Sequence, residues 1–484
     1  MNKSCSLEFR VKRYSLHIWP VWLLLGALLL TACQSDVLPV ADTGGDKPMA
    51  YSDSSYINLK IVNNQTTTTR ATEAASVKEN AIYDGILCIF EGAEESSAQL
   101  KTAVVIDQLI NNPGSSTNVN VIQRLATGTH AYSSKLYVLA LLNTTSTGFR
   151  VSGNDLLFDG TSQKGKTISD IQQLQIHSVG STDEHVGLFM SNAPQTGYIM
   201  PEVTSTYLYD TEAAAANGSK LTINVERAAA RVRVTNTATT ITSFCLEGNT
   251  NRHPTVHRMT WALNNYNTLS YAIRNGSTAT QNWATSITDT PVAFDTTVPD
   301  IFDLYRQHSY QNGESVYIAE NTTAGKETEV IVEVQLKEGS FLLGDCYKYD
   351  QWGLVIFFTS ADQVIKYCKD GWTSTFAQNH AGLESKSADE IFKYPSFVIH
   401  DNGKVTLILR NESFTENEKT ALSNLSVLLS GFLTGYRDGK MYFNYKIKHD
   451  TNHEFGVVRN NAYNLNFTTV PGIGDPVPVP QNQQ

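Results

Sequence analysis

Apolar and polar positions alternate over short stretches along most of this chain. Ile57, Leu59 and Ile61 alternate with Asn58 and Lys60, the period-two pattern of a strand with one buried face. Further strand-like runs follow at 82–90, 135–142, 186–190, 221–225, 229–235, 315–319, 329–336, 354–358, 405–409, 441–448 and 464–470. Turn residues separate most of them, as at Asn111-Asn112-Pro113-Gly114 and Asp401-Asn402-Gly403. Many short strands with turn signals between them predict a mainly β chain built from β-sandwiches, with a few short helices. One helix is predicted from the capping box Thr415-x-x-Glu418, which precedes Leu422, Leu425 and Leu429 on one face. A shorter one is predicted over 361–369. The runs 441–448 and 464–470 are expected to form an antiparallel hairpin around Gly456–Tyr463. Arg459 and Asn460 would then lie in its connection and define the fold rather than bind a ligand.

The N-terminus departs from this pattern. Lys3, Arg10, Lys12 and Arg13 precede an apolar run at 18–30. About 13 residues is too short to span a bilayer, which takes ~20, so residues 1–32 read as a signal peptide. The run ends in Leu30-Thr31-Ala32-Cys33, a lipobox, and Cys33 would become the acylated N-terminus of an exported lipoprotein. The alternative is an ordinary signal peptide with a chance cysteine. Residues 36–55 are small, polar and contain Gly and Pro, as a flexible tether would be. The Ala-rich, Gly-containing stretch 211–219 is the expected boundary between an N-terminal β-sandwich, 71–217, and a C-terminal one, 218–471. Residues 472–484 form a Pro-rich tail, expected to be extended and disordered.

Charge and chemistry narrow the function. The chain carries 37 basic and 47 acidic residues, a net charge of −10. The signal peptide holds four of the basic residues and one acidic residue, Glu8, which leaves 33 against 46, or −13. An acidic chain without basic runs argues against nucleic-acid binding. Cys88, Cys245, Cys346 and Cys368 are too few for a disulfide scaffold. Cys88 lies in an apolar run and is expected to be a buried thiol, and whether Cys346 and Cys368 pair is open. No CxxC, HExxH or Cys/His cluster marks a metal site, and no cofactor motif occurs. His185, His253, His257 and His449 have no spacing that implies ligands or a triad, and the acidic pairs Glu94-Glu95 and Asp183-Glu184 read as solvated loops. Nothing points to an enzyme.

Arg70 stands apart. It ends the Thr-rich stretch Thr66-Thr67-Thr68-Thr69, just after the predicted strand, where an extracellular protease could reach it. A cut there would give a chain starting at Ala71 and release both the lipid and the strand that holds Ile57, Leu59 and Ile61. Losing that strand would open an apolar groove with unpaired backbone groups, which recruits a strand from another chain. The plainer reading is an exposed Arg in a linker.

Spread along the chain are features that together resemble the fimbrillins of the Bacteroidales type, the family of major and minor fimbria subunits. They are the lipobox; Arg70-Ala71-Thr72 followed by 82–90; KLYVLALLN at 135–143; Val225-Glu226-Arg227-Ala228-Ala229-Ala230-Arg231-Val232; WALNNYNTLSY at 261–271; Tyr317-Ile318-Ala319-Glu320-Asn321-Thr322; 329–335; and 439–448 running into Phe455-Gly456-Val457-Val458-Arg459-Asn460-Asn461, with Tyr463 and Leu465 after it. The resemblance implies two tandem transthyretin-like β-sandwich domains. It also implies export as an outer-membrane lipoprotein precursor, cleavage after Arg70 by an arginine-specific protease, and assembly with other fimbrial subunits by donor-strand exchange on the cell surface. Residues 33–70 would be tether and propeptide with a removable strand. One departure stands out. Shaft subunits carry a further apolar C-terminal donor stretch, whereas here Pro478 and Pro480 interrupt the tail. A tip or accessory subunit is therefore expected. The competing reading is a surface lipoprotein adhesin or glycan-binding protein that never polymerises, and the host or bacterial receptor is unspecified in either case.

Overall fold

In the N-terminal half, the runs 85–92 and 135–142 are apolar at nearly every position because both their faces are covered. The computed structural model describes residues 49–51, 55–63, 78–106, 118–125, 130–132, 134–182, 186–274, 293, 300–449 and 455–478. Among these, nine strands form one sheet. Its main order is Leu208–Tyr209, Tyr56–Asn63, Leu221–Arg227, Met190–Asn192, Lys135–Leu142, Gly85–Gly92 and Gln99–Val105. Asn118–Arg124 pairs with Tyr56–Asn63, and Glu202–Val203 pairs with Lys135–Leu142. On one side of the sheet Ile57, Leu59 and Ile61 share a buried cluster with Leu87, Val138 and Ile223. On its other face Cys88, Phe90, Leu139 and Leu141 pack with Phe149, Leu156 and Ile171. Those last three belong to the small sheet over 149–162 and the helix Ile168–Gln172.

The C-terminal half is a second sandwich. Ala229–Asn236 lies between Ser315–Ala319, antiparallel, and Ala462–Phe467, parallel. The facing sheet is built on Thr255–Asn264, Glu329–Glu338 and Lys440–Lys446. Val232, Trp261, Val332, Met441 and Val457 meet between the two sheets.

Between Glu329–Glu338 and Lys440–Lys446 the chain makes an insert with a core of its own. A three-stranded sheet (Cys346–Gln351, Leu354–Phe358, Leu433–Tyr436), the hairpin Tyr394–Ile399/Val405–Arg410 and four helices bury Tyr349, Phe358, Leu407, Leu422 and Leu425 together. The helix Glu416–Ser430 starts at the expected box, with the Thr415 side chain accepting from the Glu418 N–H and the Glu418 carboxylate accepting from the Thr415 N–H.

Several expectations need correction. The runs at 441–448 and 464–470 do not form a hairpin, because Lys440–Lys446 pairs with Glu329–Glu338 and Ala462–Phe467 with Ala229–Asn236, in opposite sheets. The run 211–219, expected as the domain boundary, contains the helix Glu212–Asn217, capped by the Thr211 side chain. Strand pairing passes from the first sheet to the second at Ala228, between Leu221–Arg227 and Ala229–Asn236. The described part of the tail is packed. Asp475 exchanges both backbone hydrogen bonds with Tyr442, and Val477 is buried. A Cβ on Gly474 would stand 2.6 Å from the Tyr442 carbonyl oxygen, so the close approach needs glycine. Glu95 is not simply solvated, since its Oε1 accepts from the N–H groups of Ile199 and Met200. Cys346 and Cys368 are both free, and burial pushes each thiol up to about 12. Cys88 is a fully buried thiol, raised further by the same cause.

Candidate functional site

The strand Tyr56–Asn63 fills a slot paired along both edges and buried on its inward face. Along one edge it pairs parallel to Leu221–Arg227, with Leu59 beside Leu221 and Ile61 beside Ile223. Leu208–Tyr209 extends that edge at Tyr56 and Ile57. Along the other edge Asn118–Arg124 pairs antiparallel over the whole span from Tyr56 to Val62. Ile57, Leu59 and Ile61 are 0%, 0% and 1% exposed, so the alternation in the sequence marks an inward face that is fully buried.

The outward face is closed too, at one point. The helix Glu212–Asn217 packs over the strand and brings its last carbonyls to Asn58, whose Nδ2 donates to Ala215 O at 2.7 Å and to Gly218 O at 3.4 Å. Ala215 O also accepts the Gly218 N–H at 3.0 Å, so the amide is its second donor at a helix C-terminus, where carbonyls lack a full set of intrahelical partners. Gly218 lies flat against Tyr209, whose hydroxyl donates to Thr206 O and Ser219 O. At the far end Asn63 Nδ2 donates to Asn80 Oδ1 at 2.9 Å. In the alternating pattern Asn58 is an outward polar position, and nothing local to it shows that a helix at Glu212–Asn217 covers it.

Beyond Asn63 the chain is described again from Lys78. Arg70 and Ala71, and the lipobox Cys33, lie outside the described residues. Glu79 follows at once and is buried, with its carboxylate 3.6 Å from Arg227 Nη1 and 3.1 Å from Arg231 Nη1. Arg227 ends a strand of the first sheet and Arg231 lies in the second, so Glu79 bridges the two sandwiches at their junction. Burial pulls the Arg227 guanidinium below its ordinary range. Tyr317 also hydrogen-bonds Glu79, and burial, with that carboxylate, pushes its hydroxyl up to about 12.

Two more buried ion pairs complete the junction. Arg274 forks onto Glu226, with contacts of 2.6 and 2.8 Å, and Arg459 bonds Glu320 Oε1, Ser270 and the Tyr271 carbonyl. Asn460, in the left-handed region at φ 61°, accepts from the backbone and side chain of Arg227. The Arg459-Asn460-Asn461 motif is thus built into the protein interior.

Among the described residues no group of three His, Cys, Asp or Glu side chains could hold a metal ion. His253 and His449 bond Phe244 O and the Tyr463 hydroxyl. A cleft of about 570 Å³ opens between 445–448 and 462–471, where Tyr445, Leu465 and Phe467 line it; its described lining has no acidic or histidine side chain.

Residues 434–484 match the family described as major fimbrial subunit protein type IV, Fimbrillin, C-terminal. The match begins in the last strand of the insert and takes in Lys440–Lys446, Ala462–Phe467 and the tail. No curated protein matches the sequence. Similar solved structures include a fimbrial assembly protein of Parabacteroides distasonis ATCC 8503, at 12% identity over 61% of this chain and 85% of that one, with a TM-score of 0.35. A protein of the same organism assigned to cell adhesion is 15% identical over 58% and 76% of the two chains, with a TM-score of 0.35. Another, from Bacteroides eggerthii DSM 20697, is 15% identical over 62% and 79%, with a TM-score of 0.32.

Proposed function

We propose that this protein is a structural and adhesive subunit of a bacterial surface fimbria, exported as a lipoprotein through Cys33, cut after Arg70 and assembled by strand exchange in the slot of Tyr56–Asn63. The observation that carries this reading is the placement of that strand. Both its edges are paired, its three apolar side chains are buried, and it is joined to Glu79 by the segment that contains Arg70. One cut at Arg70 therefore turns a core strand into a separate peptide. The fimbrillin match at 434–484 supports the same role.

The energetics suit exchange rather than spontaneous loss. Burying Ile57, Leu59 and Ile61 contributes roughly 1.5–3 kcal/mol each, about 5–9 kcal/mol together, before any backbone pairing is counted. The severed strand stays bound until another strand takes its place edge by edge. The described part of the tail docks on its own sandwich through Asp475 and Val477.

Digestion of the chain from residue 34 with an arginine-specific protease, followed by N-terminal sequencing, tests the reading. A single new N-terminus at Ala71, with the 56–63 strand still bound until a partner pilin is added, is the expected result. An uncut Arg70, or a cut chain that never exchanges its strand, would refute it.

A second reading, a surface adhesin that never polymerises, is favoured by one feature of the insert. At the hairpin turn between Cys346–Gln351 and Leu354–Phe358, Trp352 is 93% exposed. Lipid retention and an intact 54–70 segment on surface-displayed protein would select this reading over the first.

A further inference from the structure

We propose that the slot selects its incoming strand by an amide: the donor must carry apolar side chains at the positions of Ile57, Leu59 and Ile61 and a neutral N–H donor at the position of Asn58. This rests on the strand-exchange reading. The inward face gives the apolar part of the requirement, since all three side chains are buried with Leu87, Val138 and Ile223.

The outward face gives the polar part. Asn58 is 2% exposed, and the groups its side chain meets are carbonyl oxygens, Ala215 O and Gly218 O. The wall that holds them belongs to the chain that remains after a cut at Arg70, and it has contacts of its own. The Thr211 side chain caps the start of its helix, Ala215 is fully buried, and Gly218 is packed on Tyr209. Tyr209 pairs with Tyr56 of the strand that leaves, but its hydroxyl stays bonded to Thr206 O and Ser219 O of the wall. When the strand leaves, the wall keeps acceptors that face the empty slot. An apolar side chain there takes the amide donor from both oxygens and leaves Ala215 O with the Gly218 N–H alone. A carboxylate sets a negative charge against two carbonyl oxygens at the negative end of a helix.

Asn63 makes a second polar contact with Asn80, but it discriminates less, because the Asn80 amide can turn to offer either its oxygen or its nitrogen. Lys60 is half-buried and constrains little. The acceptor therefore reads a strand of the form apolar–amide–apolar–any–apolar, parallel to Leu221–Arg227.

The test uses the chain from residue 34, cut at Arg70, and labelled peptides that span residues 55–64. The native peptide should enter the slot. An Asn58→Leu peptide should enter about tenfold more weakly and an Asn58→Asp peptide about a hundredfold more weakly at neutral pH. The Asp peptide should recover as the pH falls, when its carboxyl gains a proton to donate. If the Leu and Asp peptides enter as tightly as the native one at every pH, amide selection is wrong and exchange stands. If the native peptide does not enter, the exchange reading falls and the selection falls with it. The uncut Asn58→Asp chain gives an independent readout. It should melt well below the wild type, and an unchanged melting temperature would overturn the claim that these carbonyls demand a donor.

Discussion

Leu59→Ala is the sharpest probe of the slot. Leu59 is fully buried, lies beside Leu221 on one edge and Val121 on the other, and shares a cluster with Leu87 and Val138. Truncating a leucine in such a site costs about 2–5 kcal/mol, the transfer of the lost atoms plus the cavity left behind. In the uncut chain the loss appears as global destabilisation. After a cut at Arg70 the strand is held only by non-covalent contacts, so the same loss appears in its affinity. At about 1.4 kcal/mol per tenfold, the strand should bind about 30-fold to a few thousand-fold more weakly. The assay is the release of the strand from cut protein, followed by native mass spectrometry with an excess of unlabelled peptide as trap. Lys60→Ala is the control, because that side chain is only half-buried and lines no core; it should change release by less than about threefold. Equal release from the Leu59→Ala and Lys60→Ala proteins would refute the reasoning, as would immediate loss of the strand from the cut wild type.

Other outcomes follow from the same contacts. Glu79→Gln leaves Arg227 and Arg231 buried without their carboxylate and should cost about 3–5 kcal/mol in urea unfolding; a loss below about 1 kcal/mol would mean that the junction does not depend on it. Trypsin should spare the exposed Lys78 in native protein, because Glu79 and Asn80 after it are buried; a new N-terminus at Glu79 in folded wild type would contradict this. The Glu418 carboxylate is held down to about 2, first by its hydrogen bond from Lys386 and then by the Thr415 N–H. Its folded value lies below the ordinary Glu value of about 4.3, so its stabilisation is full above that value and is lost as pH falls toward about 2. Carbon-detected titration of Glu418 should show this low midpoint, and an ordinary midpoint would remove the capping argument. Iodoacetamide should modify Cys245, which is partly exposed, well before Cys88 and Cys346, which are buried; mass mapping of labelled native protein checks the order.

Much of the strand content was legible because burial here follows local alternation. Ile57, Leu59 and Ile61 show it, and so do the continuous apolar runs in Gly85–Gly92 and Lys135–Leu142, whose faces are both covered. The helix Glu416–Ser430 announced itself through its capping box. What stayed hidden is what depends on distant partners. Ala462–Phe467 pairs parallel with Ala229–Asn236, more than 200 residues earlier, and no local pattern distinguishes that from a hairpin with Lys440–Lys446. The Ala-rich stretch before Gly218 has the composition of a linker, yet it forms the helix that closes over Asn58. Glu79 follows a polar segment and reads as a loop residue; only the fold reveals Arg227 and Arg231 on either side of it. Of the candidate site, the apolar half was readable and the polar half was not.

The central claim is that a cut at Arg70 converts a buried core strand into an exchangeable one. The direct measurement is to cut the chain from residue 34 with an arginine-specific protease, sequence the new N-terminus, and follow the 56–63 strand by native mass spectrometry as a donor-bearing pilin is added. The expected result is a start at Ala71, a strand that stays bound in the absence of the donor, and its replacement one for one as the complex forms. A resistant Arg70, or a cut protein that keeps its strand whatever donor is offered, would contradict it.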